Sequence, residues 1–262
     1  MHFDGSFFEQ TLFHPPSSMV QGAIRTIYLA VLAQALGVVL GLVLALWRRS
    51  RYLPVRAFAG GYIWLFRGTP LLVQALIIYD GVPAAGLYSF NTLRLGPVSV
   101  PGVQQAAIIP LALNEGAYMA EIMRAAIDSV DKGQAEAAQS LGMRRRQAMR
   151  HVVLPQAMRV VIPPLGNEFN NMLKVISVLS VIGYPDLFLA AQTLNSTTFR
   201  TFEIFSVAAI YYLAMTTVWS FIQSMIERRL GERGGEIERV TLRERLFGGG
   251  VAIAAEQLRG AR

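Results

Sequence analysis

The sequence predicts an all-α protein of the lipid bilayer, with about five membrane-spanning helices. Three observations carry that expectation. The 262-residue chain is 53% hydrophobic and only 16% charged, with a mean hydropathy of +0.40, whereas soluble domains hold about 25% charged residues. Two long runs contain no charge at all. And the basic residues collect in a few separate segments instead of spreading evenly along the chain.

The charge-free runs are 26–47, TIYLAVLAQALGVVLGLVLALW, and 204–226, IFSVAAIYYLAMTTVWSFIQSMI. Each matches the roughly 20 apolar residues that a helix needs to cross the hydrocarbon core. Three further segments are apolar with isolated charges: 57–80 around Arg67, 101–123 with Glu115 and Glu121, and 165–187 with Glu168, Lys174 and Asp186. The first 19 residues hold no Lys or Arg, so a cleavable signal peptide is not expected there. The organisation expected is an extracytoplasmic segment over 1–21, a membrane domain over 22–229 and a partly ordered cytoplasmic tail over 230–262.

Orientation follows from the placement of Lys and Arg. With the N-terminus outside, the segments 48–56, 124–159 and 228–262 face the cytoplasm and hold four, seven and eight basic residues, 19 of the 24 in the chain. The net charge of +7 then reflects orientation in a cell (inner) membrane, N-terminus out and C-terminus in. No nucleic-acid partner is expected, because the basic residues occupy three separate segments. The absence of cysteine excludes a disulfide framework and thiolate metal sites.

The segment 136–155, EAAQSLGMRRRQAMRHVVLP, is a charged and helical island in the longest loop. Asp131 is expected to cap a short helix, with Gln134 at the third helical position as in a capping box. Ala135, Ala137 and Ala138 favour helix, and Ala137, Ala138 and Leu141 share one apolar edge. Gly142 suits the left-handed residue that ends the helix. A second amphipathic helix follows, with Met149, Val152 and Val153 on one face, and Pro155 is expected to break or redirect it. By composition alone this loop could lie on anionic headgroups.

The order of its residues is more specific. Glu136-Ala137-Ala138, three residues, Gly142, nine residues and then Val152-Val153-Leu154-Pro155 resembles the EAA loop of ABC importer permeases. GAYMAEIMRAAIDSVDKGQAEAAQSLGM at 116–143 and RGTPLLVQ at 67–74 resemble the polar amino acid uptake branch of that family. The resemblance spans roughly residues 20–230. It implies the type I ABC importer permease fold and transport of polar amino acids by alternating access. It implies that Glu136, Ala137, Ala138, Gly142 and Arg145, on the EAA coupling loop over about 129–155, contact a separate ATPase subunit. It also implies the partners: two ATPase subunits, a second permease chain that is identical or homologous, and an extracytoplasmic amino-acid-binding protein. No cofactor is expected in this chain; ATP and Mg belong to the partner ATPase, since the sequence has no G-x-x-x-x-G-K-[ST] phosphate loop.

Charges inside the spans are the candidates for the solute site. On a helical wheel Asn167, Asn170, Asn171, Lys174 and Ser177 fall within one arc of about 120°, with Leu165, Phe169, Met172, Leu173, Ile176 and Leu179 opposite and Glu168 at the edge. Pro163, Pro164 and Gly166 are expected to interrupt the backbone before this stripe, and Gly183 and Pro185 to end it. Such a stripe either glues helices together or lines a water-filled path. The resemblance favours the path and implies substrate contact at Glu168; Asn171, Lys174 and Ser177 on the stripe, and Glu115 on the third span, are further candidates. The family often reads K-D-T-S-L here, whereas this chain reads Lys174-Val175-Ile176-Ser177-Val178; the missing aspartate points away from a strongly cationic substrate.

Other features read as structure. Arg67 in FRGTP fits a broken helix in which Thr69 caps a new segment and Pro70 opens it, leaving the guanidinium to snorkel or to gate. Glu121 and Arg124 can pair locally. Gly37 and Gly41 form a GxxxG helix-packing motif. An ion-gradient-driven secondary transporter of small polar solutes is the alternative function, and it calls for internal repeats, which the sequence does not display. A membrane enzyme lacks support, since His2, His14 and His151 lie outside the spans with no carboxylate–histidine cluster.

Overall fold

The computed structural model describes residues 3–96 and 98–231. The tail expected over 230–262 therefore lies almost wholly outside the described residues. The elements are α1 (Gly5–Phe13), α2 (Ser17–Arg48), α3 (Leu53–Gly68) and α4 (Leu71–Ala84), then β1 (Leu93–Leu95) and β2 (Val98–Val100). They continue with α5 (Gly102–Asp128), α6 (Lys132–Ser140), α7 (Arg145–Ile182), α8 (Leu187–Thr198) and α9 (Thr201–Gly231). The expected helical architecture holds, with one departure: β1 and β2 form an antiparallel hairpin in which Arg94 faces Ser99.

Two helices, α2 and α9, are long and apolar enough to cross a membrane, and the number rises to four if each bent pair, α3 with α4 and α7 with α8, counts as one span. The expected count of about five includes 101–123, which forms the 27-residue helix α5. Gln104, Gln105, Asn114, Glu115 and Glu121 lower its hydropathy, so composition alone supports two to four spans.

Contacts divide the chain into two compact units, one ending at Thr216 and one beginning at Thr217. In the first, the seam between α2 and α5 is the most extensive helix pair. The buried face of α2 carries Gly22, Thr26, Ala30, Ala33, Gly37, Gly41 and Ala45, small residues at helical spacing that let backbones approach. A Cβ at Gly37 would lie 2.7 Å from Glu115 Cβ, and one at Gly41 would lie 2.9 Å from the Ala120 backbone nitrogen. The GxxxG pair is thus a packing surface. In the second unit α9 continues to Gly231, and Gln223 Nε2 donates to Glu227 Oε1 at 2.9 Å.

A second core joins α1 and the start of α2 to α8 and the start of α9, with Met19, Leu187, Ala191, Ile204 and Val207 buried and Phe7, Phe8 and Leu12 packed against them. Asp4 caps α1 and bonds Arg200 at 2.5 Å. Hydrogen bonds from the Ser6 hydroxyl and the Phe7 N–H, together with Arg200, hold the Asp4 carboxyl at about 2.

The broken helix at 67–70 is present, with a bend of 106° between α3 and α4, but its caps differ from those expected. Thr69 ends α3 instead of capping α4, and its hydroxyl donates back to the Leu65 carbonyl at 2.8 Å. Pro70 is the N-cap itself, without a side-chain cap. Gln74 and Asn114 supply the missing donors: both reach the Phe66 carbonyl, at 2.9 Å each.

The prolines of α7 also act differently. Pro155 does not break the helix. The turn before it, Met149–Val153, is a π-helix in which the Leu154 N–H bonds the Met149 carbonyl five residues back. The wider turn accommodates a residue that brings no N–H. Pro163 and Pro164 lie inside the helix instead of interrupting it. The end is as expected: Gly183, at φ 78°, closes α7, and a 51° bend leads into α8.

Candidate functional site

The 129–155 hairpin is built by two local devices. Asp131 caps α6, accepting the Gly133 N–H at 2.8 Å, so the cap bond goes to the second helical residue and not to Gln134. Gly142, at φ 89°, ends it. The Gly142 N–H bonds the Gln139 carbonyl at 2.9 Å and the Met143 N–H bonds the Ala138 carbonyl at 3.1 Å, the paired bonds of a Schellman cap. Arg144 then opens α7, with Gln147 Oε1 accepting its N–H at 2.9 Å.

One face of the hairpin is anchored. Ala138 is buried, and Ala135 and Met149 pack on a cluster of Ala45, Met123, Ile127, Val153 and Ala157. The expected single edge of Ala137, Ala138 and Leu141 is split: Ala138 faces in, while Ala137 and Leu141 face out. Leu141 is 84% exposed, beside exposed Glu136, Gly142 and Arg145. Ion pairs brace the neighbouring helix ends. Arg124 binds Glu121 at 2.8 Å and Asp128 at 3.0 Å, and Arg49 binds Asp128 at 2.5 Å. The Glu121–Arg124 pair is as expected, and the link to Arg49 is new.

The polar stripe of α7 is largely uncovered. Asn167, Asn171 and Lys174 are exposed, while Phe169, Met172 and Leu173 are buried. The stripe does not end as a regular wheel, because Ile176–Ile182 is a 3₁₀ segment. Ser177 remains beside Lys174, its hydroxyl donating to the Lys174 carbonyl at 2.7 Å. Both residues line an open cavity of about 570 Å³ with Phe188 of α8 and Phe205, Ala208, Ala209 and Tyr212 of α9. The sequence expectations missed this second wall. A usable signal was Tyr212 itself, a hydroxyl within a charge-free span that needs a partner. That partner is Asp186, fully buried, whose Oδ2 accepts from Tyr212 at 3.3 Å.

The two acidic candidates sit apart from the cavity. Glu115 is buried on α5 against Gly37 of α2, and among the described residues its Oε1 has no hydrogen-bond partner. Glu168, half-buried on α7, lies within electrostatic reach of Glu115 and Arg67. The Arg67 guanidinium stacks over the Tyr118 ring, 5.2 Å from its centroid. The structure thus brings Lys174 and Ser177 together, sets Glu168 nearer to Glu115, and leaves Asn171 exposed between them on the stripe. Among the described residues no group of three His, Asp or Glu is placed to hold a metal ion.

Known proteins share this architecture. The chain is 38% identical over 212 residues to the glutamine transport system permease protein GlnP of Escherichia coli, covering 81% of this chain and 92% of that protein. It is also 38% identical over 217 residues to the arginine transport system permease protein ArgU of Corynebacterium glutamicum, covering 81% of this chain and 67% of that protein. A solved amino acid ABC transporter crystallised with histidines aligns with a TM-score of 0.76 at 41% identity, over 87% of this chain and all of that one. The MetNI methionine ABC transporter shares the fold at a TM-score of 0.64 and 17% identity, over 81% of this chain and 95% of that one. Residues 37–232 match the family described as "Binding-protein-dependent transport system inner membrane component", and the chain belongs to that family.

Proposed function

We propose that this protein is the membrane-spanning permease subunit of an ABC importer that carries polar amino acids into the cell by alternating access. It crosses the inner membrane about five times, N-terminus outside and C-terminus in the cytoplasm. It works as a pair of permease chains with two ATPase subunits, which hold ATP and Mg, and receives solute from an extracytoplasmic amino-acid-binding protein. The relatives named for glutamine and arginine transport support the solute class. The observation that carries the coupling is the hairpin around Gly142: its Ala138 side is anchored, and Glu136, Ala137, Leu141 and Arg145 are left bare. A small-residue helix face with one carboxylate and one guanidinium fits a groove on a partner, and the Gly142 turn fixes its angle.

In this reading ATP binding closes the ATPase pair, draws the two hairpins together and opens the spans outward; hydrolysis reverses the motion. The solute route runs along Glu168, Asn171, Lys174 and Ser177, with Glu115 behind it. Lys174 supports the route. A cation at the bilayer centre costs roughly 2.5–3.5 kcal/mol on insertion scales, so this exposed stripe faces water or a second permease chain, not lipid.

The test uses the complete transporter in vesicles. Glu136→Lys or Gly142→Asp is expected to abolish uptake while ATP hydrolysis by the assembled complex continues. Wild-type coupling in both variants would remove the hairpin from the ATPase contact. Uptake by the permease chains without any ATPase would favour an ion-gradient-driven carrier.

A further inference from the structure

We propose that the corner where α2 meets α3 is a binding site for an anionic phospholipid, its phosphate held between the Arg48 and Arg56 guanidiniums. In the orientation proposed above the lipid belongs to the inner leaflet. The site lies outside the solute route and its test measures no transport, so the two readings stand or fall separately.

The corner carries charge that its neighbours do not neutralise. The segment 48–56, RRSRYLPVR, holds four arginines and no acid. The acids that reach it come from α5 and are already matched: Glu121, within electrostatic reach of Arg48, binds Arg124 at 2.8 Å, and Asp128 binds Arg49 and Arg124. Arg51 folds onto its neighbour, with its Cζ 4.7 Å from the Tyr52 ring centroid and its Nη2 donating to the Tyr52 hydroxyl at 2.6 Å. Arg48 and Arg56 remain, and neither enters an ion pair among the described residues. A Cβ at Gly60 would lie 2.7 Å from Arg48 Nη1, so the Arg48 guanidinium crosses from α2 and rests against the bare backbone of α3. Arg56 is exposed one turn before Gly60, on the same side of α3. Two like charges thus share one side of a helix, an arrangement that an anion between them would relieve.

The surroundings select a lipid over other anions. Trp47 packs edge-on against Phe58, centroids 5.9 Å apart, and both rings are exposed. Trp64, one turn beyond Gly60, is 77% exposed, and Leu42, Val43 and Leu46 leave the end of α2 apolar and bare. Such a surface suits acyl chains and not the acidic face of a cytoplasmic protein. A phospholipid sets its phosphate directly above its chains, which matches cations at the rim of an apolar face. Each guanidinium offers the phosphate oxygens a fork of donors. Phosphatidylcholine carries the same phosphate but adds an ammonium that the two arginines repel. The corner therefore favours a headgroup of net negative charge, such as phosphatidylglycerol.

The experiment titrates the intact transporter, both permease chains with their ATPase subunits, in neutral detergent with dibrominated phosphatidylglycerol or dibrominated phosphatidylcholine. Bromine quenches tryptophan on contact, and exposed Trp47 and Trp64 flank the corner. Wild type is expected to reach half-quenching at about 30-fold less phosphatidylglycerol than phosphatidylcholine, from about fivefold per guanidinium. Arg48→Gln combined with Arg56→Gln should erase the preference. Arg48→Lys combined with Arg56→Lys should keep most of it, and Arg94→Gln, outside the corner, should leave it unchanged. Equal quenching by the two lipids, or a preference that survives the double Arg→Gln variant, would overturn the proposal. If that variant does not assemble, Arg56→Gln alone should lower the preference about fivefold, and an unchanged preference overturns it. A preference that appears only after the ATPase subunits are stripped away would assign the corner to the ATPase contact and overturn the lipid site. Full displacement by excess inorganic phosphate would overturn it too, since such a site needs no acyl chains.

Discussion

The α2–α5 seam makes a sharp demand on residue 41. A Cβ there would lie 2.9 Å from the Ala120 nitrogen and 3.0 Å from the Met119 carbonyl carbon, and would collide with Met119 Cβ. None of these atoms can rotate away, so Gly41→Ala must push the α2 and α5 backbones apart. At Gly61, on α3, the same methyl meets nothing within 4 Å. Both substitutions replace Gly by Ala inside a helix and share the same propensity gain, about 1 kcal/mol. Their difference therefore isolates the steric cost. Overpacking typically costs about 1–3 kcal/mol, and immobile backbone places this site in the upper half, about 2–3 kcal/mol. For a chain of this size each kcal/mol moves Tm by about 2–4 °C, so Gly41→Ala should melt about 4–12 °C below Gly61→Ala. The assay is thermal unfolding in detergent, followed by the fluorescence of Trp47, Trp64 and Trp219. Equal Tm values for the two variants would refute the close-packed seam and its role in holding Glu115 against α2.

Two further outcomes follow from polar contacts. Asp4 is held at about 2, below the ordinary carboxylate value of about 3.9 in the unfolded chain. Its contribution to docking α1 is therefore complete above about pH 4 and is lost as pH falls through 2; a nitroxide at Glu9→Cys should become mobile over that range, and Arg200→Gln should loosen it at neutral pH. Gln74→Leu removes the amide that bonds Phe66, Thr69 and Asn114. Leaving those groups short of a partner should cost about 1–3 kcal/mol, read as a lower Tm with no loss of ATPase binding.

Features written in composition or in single-residue chemistry were legible in the sequence. The charge-free runs became α2 and α9, Gly142 and Gly183 took the left-handed turns that end helices, and Gly37 and Gly41 marked the seam. The readings of Pro155, Pro163 and Pro164 failed because they treat a missing N–H as a break. At Pro155 a widened turn absorbs the defect, and at Pro70 donors from Gln74 and Asn114, 40 residues apart, supply what the bend leaves open. Such compensation is made between distant segments, which local pattern cannot display. The same holds for the candidate site. The stripe of Asn171, Lys174 and Ser177 is visible on a wheel, but the wall of Phe188, Phe205 and Tyr212 facing it comes from two later helices. Nor does any pattern reveal that Leu141 turns outward while Ala138, three residues earlier, turns in.

The unbroken run of α7 has a mechanical consequence. From Arg145 to Lys174 the backbone is one continuous helix, about 45 Å long at 1.5 Å per residue, with the hairpin turn at its foot and the ammonium near its head. Were Pro155 a joint, force applied at the foot would be absorbed there. A stiff shaft instead swings as a lever, so a small tilt imposed at one end moves the far end sideways. Under the proposed function, the ATPase-facing hairpin and the solute stripe then share a single stretch of polypeptide.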